Sequence, residues 1–281
     1  MSSTPITEAH TRAATTTVHV LHTGDVTIDR ALAFRERTIH PMPYTGWFRS
    51  KGKRITVPVS AYLIEHPEGL VLVDTGWHAA IRDHQREHLG RLAYSMYQGR
   101  LPAGQSVTEQ LAAMGIEPED LSFVVLSHLH SDHASGVGLV EDASRIVVSE
   151  REWAARDDFG YITSMWDGVE IEPFAFEEVP YGPFGRGLDL YGDGSVVLVY
   201  TPGHSEGHVS VLARTDAGWV LLAGDVGYAA RSWEQSILPG VTTSDEEMRA
   251  SLSWVRAFAE REDTVAALAN HDPDVTPVTI G

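Results

Sequence analysis

Ser127-His128-Leu129-His130-Ser131-Asp132-His133 follows directly on the apolar run Phe123 to Leu126. Four side chains able to bind a metal, those of His128, His130, Asp132 and His133, fall within six positions. In extended backbone, side chains alternate with period two, so His128 and His130 project to the same side and converge on one ion. Asp132 and His133 lie past the strand end, where the chain turns them towards a second ion. Three more residues of the same kind occur downstream: His204 in Tyr200-Thr201-Pro202-Gly203-His204, Asp225 in Leu221-Leu222-Ala223-Gly224-Asp225, and His271 in Ala269-Asn270-His271-Asp272. Each follows a strand-like apolar run. Any one alone reads as readily as a turn residue, but strand ends can be gathered at one edge of a pair of sheets, where rigid elements hold a site. Seven side chains with Asp225 shared suffice for two divalent ions with a place for water between them.

Composition narrows the chemistry. Cysteine is absent from the 281 residues, which leaves nitrogen and oxygen as metal donors, and the 14 histidines can supply the nitrogen. The formal charge of -18, from 21 basic against 39 acidic residues, repels phosphate backbones. A small neutral or apolar substrate is expected, and no nucleic acid. Met1 to Thr17 is rich in Ser, Thr and Ala without an apolar signal core, and no apolar run approaches the roughly 20 residues that span a bilayer. The expectation is a disordered polar tail over 1–17, one hydrolase domain over 18–281, no membrane partner and a cytoplasmic location.

Val18 to Leu21 reads as a first strand, and the long stretch Asp25 to Arg54 as either a connecting loop or a substrate-facing flap. Val57 to Glu65 and Leu70 to Asp74 read as a hairpin around His66-Pro67-Glu68-Gly69. Ser106 with Glu109, Ser149 with Glu152 and Ser244 with Glu247 have the spacing of helix capping boxes. Val-rich runs at Phe123–Leu126, Arg145–Val148, Val196–Tyr200, Val209–Ala213 and Trp219–Ala223 supply further strands. Two sheets packed face to face with helices outside is the expected architecture.

The ordered set His-x-His-x-Asp-His, then His204, Asp225 and His271, resembles the metallo-beta-lactamase superfamily from about Val57 to His271. The resemblance implies an α/β (α+β) fold, an αβ/βα sandwich of two mixed sheets with outer helices. It implies that His128, His130 and His204 hold one metal, that Asp132, His133 and His271 hold the other, and that Asp225 bridges them. Zinc suits such donors best. Asp74 in Val73-Asp74-Thr75-Gly76 matches a shorter motif and would orient a ligand. Within the superfamily the chain is most similar to the N-acyl-homoserine lactone lactonases, through SHLHSDHASG (127–136), TPGHSEGH (201–208), His271-Asp272, and Tyr228 three residues after Asp225. By that resemblance the chain opens lactone rings with a metal-activated water, with Tyr228 donating to the developing oxyanion and Asp132 passing a proton to the leaving alkoxide. A homodimer is also implied. Met42, Tyr44, Trp47, Phe48, Met165, Trp166 and Phe174 are candidates for an apolar acyl groove. The alternatives are another lactonase, an esterase or a glyoxalase II-like thioesterase on the same site, and, from a different class, a metal-binding protein without catalysis.

Overall fold

The computed structural model describes residues 15–281. Its strands in chain order are β1 (Thr17–Asp29), β2 (Arg54–His66), β3 (Gly69–Val73), β4 (Gln98–Arg100), β5 (Leu121–Val125), β6 (Ile146–Ser149), β7 (Glu172–Phe174), β8 (Glu177–Glu178), β9 (Arg186–Asp189), β10 (Val196–Tyr200), β11 (Val209–Arg214), β12 (Trp219–Gly224), β13 (Thr264–Ala269) and β14 (Thr279–Ile280). The helices are α1 (Arg30–Ala33), α2 (Gln85–Met96), α3 (Val107–Ala113), α4 (Ser131–Ala134), α5 (Glu150–Ala154), α6 (Ala230–Glu234) and α7 (Asp245–Ala259). One sheet is ordered β14-β1-β2-β3-β5-β6-β7, with β4 also paired to β1; the other is ordered β13-β12-β11-β10-β9-β8. Both are mixed: β3, β5, β6 and β7 pair in parallel in the first, and β12 with β13 in the second.

The layering follows from period-two alternation. Along β5 and just past it, Val125 faces the inter-sheet core while Val124 and Leu126 face the outer cluster with α3. Along β12, Val220 and Leu222 join the inter-sheet core, and Trp219, Leu221 and Ala223 pack under α7 with Met248, Leu252 and Val255. Each strand is therefore apolar on both faces, as a strand with layers on either side must be. Burying each such Val or Leu contributes about 1.5–3 kcal/mol. The αβ/βα sandwich of two mixed sheets expected from the sequence is the observed fold.

Two boundaries differ from expectation. β1 runs thirteen residues, so Asp25 to Asp29 are strand rather than loop, and Thr17, placed in the tail, pairs with Glu65. The alternation is broken by a bulge between His22 and Asp25, which hid the second half of the strand. Thr16 is buried and its hydroxyl donates to the Arg214 carbonyl at 3.1 Å, so the folded body begins before residue 18; the tail over 1–14 lies outside the described residues. No helix among the described residues is long and apolar enough to cross a membrane.

Candidate metal centre

β5 delivers Ser127 to the sheet edge, and the chain then turns through His128 and His130 into α4, which carries Asp132 and His133. His204 follows β10, Asp225 follows β12, and His271 follows β13. All seven residues expected from the sequence meet there. His128, His130 and His204 form one group of donors within 4.8 Å of one another, Asp132, His133 and His271 a second, and His128, His133 and Asp225 a third that joins them. Five of the seven are essentially sealed from solvent, and Asp132 keeps 18% of its side chain exposed.

The tautomers are fixed by partners behind the rings. The His133 Nδ1–H donates to Asp74 Oδ2 at 2.8 Å. The His128 Nδ1–H donates to Ser127 Oγ at 3.0 Å, and that hydroxyl donates to Asp74 Oδ2 at 2.8 Å. The His271 Nδ1–H donates to the Pro58 carbonyl at 2.8 Å. Each ring therefore turns its Nε2 inwards, and the Nε2 atoms of His128, His133 and His271 are buried with no hydrogen-bond partner, as is Asp225 Oδ1. Orphaned buried acceptors cost about 1–3 kcal/mol each unless something fills the space they face. Two donors on one tetrahedral zinc stand about 3.4 Å apart. His133 Nε2 and His271 Nε2 each lie 3.4 Å from Asp225 Oδ1, His271 Nε2 lies 3.4 Å from Asp132 Oδ2, and His204 Nε2 lies 3.5 Å from Asp225 Oδ2. The two oxygens of Asp225 thus face different donor groups, and the residues fit a dinuclear site.

Electrostatics divide the two donor groups. Burial pushes the pKa values of His128 and His204 well below the ordinary histidine range, which keeps both imidazoles neutral and their lone pairs free. For Asp225, burial opposes the charge, but His271 and His133 outweigh it and hold the carboxyl well below its usual range; burial opposes the charge on those two imidazoles as well, but Asp225 and Asp132 raise both, so this half of the site holds protons where it would hold a cation.

Over residues 54–269 the sequence matches the metallo-beta-lactamase superfamily. The chain belongs to that superfamily. The N-acyl homoserine lactonase AttM of Rhizobium radiobacter is 33% identical over 232 residues, 80% of this chain and 86% of that protein. The N-acyl homoserine lactonase AiiA of Bacillus thuringiensis subsp. kurstaki is 31% identical over 219 residues, 76% of this chain and 81% of that one. A solved N-acyl homoserine lactone hydrolase, with N-hexanoyl-L-homoserine bound at its catalytic metal centre, superposes with a TM-score of 0.76 at 24% identity, over 93% of this chain and 95% of the other.

Around the superfamily's donor set the structure adds residues that the sequence did not single out. His208 is buried; its Nε2 accepts from the Asp225 backbone N–H at 3.0 Å, and its Nδ1–H donates to Thr201 Oγ1 at 3.0 Å. Burial and its neighbours push its pKa down to about 3, so it stays a neutral acceptor. A Cβ on Gly224 would lie 2.6 Å from that Nε2, and the residue has φ +57°, so only glycine lets the chain pass. Its signal was the second histidine of TPGHSEGH. Tyr97 reaches Ser131 Oγ with its hydroxyl at 2.8 Å. Tyr228 stacks on His271 at 4.9 Å and 23°, and its centroid lies 6.3 Å from His204, so one phenol sits against both donor groups. Of the acyl-groove candidates, Met165 and Trp166 share an apolar cluster with Tyr228, whereas Phe174 packs edge-on against Phe176 and into the inter-sheet core. Phe174 is partly buried on the edge strand β7, and its ring packs against that core. Trp47 donates from its indole N–H to Ser95 Oγ at 3.1 Å, while Met42 and Phe48 are exposed.

Proposed function

We propose that this chain hydrolyses the lactone ring of N-acyl homoserine lactones at a dinuclear centre. His128, His130 and His204 would hold one ion and Asp132, His133 and His271 the other, with the Asp225 carboxylate shared by the two donor groups. The observation that carries the reading is Tyr228, stacked on His271 and within ring contact of His204, in a chain that is 33% identical over 232 residues to an N-acyl homoserine lactonase. When bound, two divalent ions, zinc by the all-nitrogen-and-oxygen donor set, supply an acidified water and a polarised carbonyl.

The side chains do the rest. Burial, with Asp225 and Asp132 nearby, raises the Tyr228 pKa well above the usual phenol value, so the hydroxyl remains a donor at every working pH. In this reading it hydrogen-bonds the carbonyl oxygen as that oxygen gains charge. Asp132 is the centre's partly exposed carboxylate, and it carries the proton from the attacking water to the ring oxygen as the ester C–O bond breaks. A chain with net charge -18 suits a neutral lactone better than an anionic ester. The apolar cluster that includes Tyr228, Met165 and Trp166 offers the acyl tail an apolar wall.

The test is turnover of acyl-homoserine lactones of several chain lengths beside an acyl thioester and an aryl ester, with His130→Ala as the blank. Fast lactone opening that the variant lacks is expected. Turnover of the thioester or aryl ester alone would replace the substrate while leaving the site.

A further inference from the structure

Ser149 and Glu152 have the spacing of a capping box, and half of that box forms: the Glu152 N–H donates to Ser149 Oγ at 3.1 Å. At α3 the same signature closes completely, with Glu109 returning to the Ser106 N–H. Glu152 instead sends its carboxylate across to the metal loops. Its Oε1 accepts from the Leu129 N–H at 2.9 Å and the Tyr161 hydroxyl at 2.7 Å, and its Oε2 accepts from Ser205 Oγ at 2.7 Å and the Gly207 N–H at 2.9 Å. The residue is 0% exposed, and four donors fill the acceptor positions of a carboxylate.

The identity of those donors is what matters. Leu129 lies between His128 and His130, Ser205 follows His204, and the Tyr161 ring lies on His130 at 5.4 Å and 29°. A Cβ on Gly207 would stand 2.1 Å from the Glu152 nitrogen, so the His204 loop rests directly on the start of α5. Ser149 Oγ donates to the Gly207 carbonyl at 2.7 Å and sews the same contact from the other side. Within this clamp His130 Nδ1 and His204 Nε2 come to 2.8 Å. Asp74 anchors His133 directly and His128 through Ser127, and it hydrogen-bonds neither His130 nor His204.

We propose that Glu152 is the positioning residue that assembles the three-histidine half of the centre, an inference that rests on assigning His128, His130 and His204 to one ion. Its carboxylate ties two loops from different sheets to one helix turn and fixes the ring that covers His130. Glu152→Gln keeps the shape but turns an amide NH2 towards two donors, so the clamp opens on one side.

Protein loaded with two equivalents of cobalt is titrated with a competing chelator, following both retained metal and the visible spectrum. Glu152→Gln is expected to hold one equivalent about 10–100-fold more weakly and the other as the unaltered protein does. The spectral change should match that of His204→Ala and differ from that of His271→Ala. If Glu152→Gln does not fold, Ser205→Ala removes one donor and should weaken the same equivalent severalfold. Both equivalents kept at unaltered affinity, or both weakened together, would overturn the role of Glu152 while a one-equivalent loss in His204→Ala left the ligand assignment standing. Two equivalents retained by His204→Ala would overturn the assignment and the proposal with it.

Discussion

The histidine cleft and the segment from 34 to 53 are both built largely from irregular backbone, yet they are held in opposite ways. In the cleft His128, His133, His271 and Asp225 are each fixed from behind by a short neutral or carboxylate partner, Ser127, Asp74, the Pro58 carbonyl or His208, and each keeps a buried atom without a hydrogen-bond partner. The segment is pinned by long cations. Arg49 grips Asp29 through two nitrogens at 2.8 and 3.0 Å and reaches Glu36 at 2.8 Å, and Arg35 reaches Asp245 at 2.6 and 2.9 Å. Among the side chains it leaves outside are two large apolar ones: Ile39 is 105% exposed and Phe48 102%. The cleft spends its order on inward-facing atoms, and the segment presents side chains outwards. Damage to the first should therefore remove metal and activity, and damage to the second should cost stability with the metal retained.

The sharpest way to break that contrast is Asp225→Asn. It should lower kcat/KM on the order of 10⁴-fold, roughly 5.5 kcal/mol, and reduce bound metal in a protein that still folds. Unchanged metal content would dissolve the distinction. Next in size, Arg49→Met leaves Asp29, 1% exposed, without its cation, and urea unfolding should show a loss of about 3–5 kcal/mol with two metal equivalents retained by the folded fraction. Tyr228→Phe should lower kcat about 10–100-fold with metal content and unfolding midpoint unchanged, because it deletes one donor and no ligand.

The smallest effect belongs to Arg35→Ala, below about 1 kcal/mol because the pair is partly exposed. It carries a pH signature. Hydrogen bonds from Arg35 and Thr242 hold Asp245 down to about 2. A carboxyl whose folded pKa is depressed contributes stability that is present above the unfolded value and lost as pH falls through the folded one. The gap in unfolding free energy between Arg35→Ala and the unaltered chain should accordingly narrow as pH falls from about 5 to about 2; a gap independent of pH would show that the ion pair does not fasten the segment.

The convergence of the seven side chains was legible because each segment that carries them follows an apolar run, and strand ends are where a chain leaves a sheet. The sandwich was legible for the related reason that Val-rich strands such as β10 and β12 are apolar on both faces. Glu152 was misread as only a cap, since the spacing Ser-x-x-Glu is satisfied by the same residue whether its carboxylate returns to Ser149 or crosses to Leu129 and Gly207. His208 was quoted within TPGHSEGH, but nothing in spacing separates a histidine that accepts from the Asp225 N–H from one that binds an ion. The second half of β1 was hidden by its bulge, and Phe174 was placed near the site because short edge strands carry too few residues for a period to show.

The most direct test of the central claim is mass spectrometry of the products after incubating the metal-loaded protein with an N-acyl homoserine lactone in heavy-oxygen water. The account predicts an intact acyl-homoserine with one labelled oxygen in its new carboxylate, formed by the loaded protein and not after chelation. Free fatty acid with unopened homoserine lactone, or lactone recovered unchanged, would contradict it.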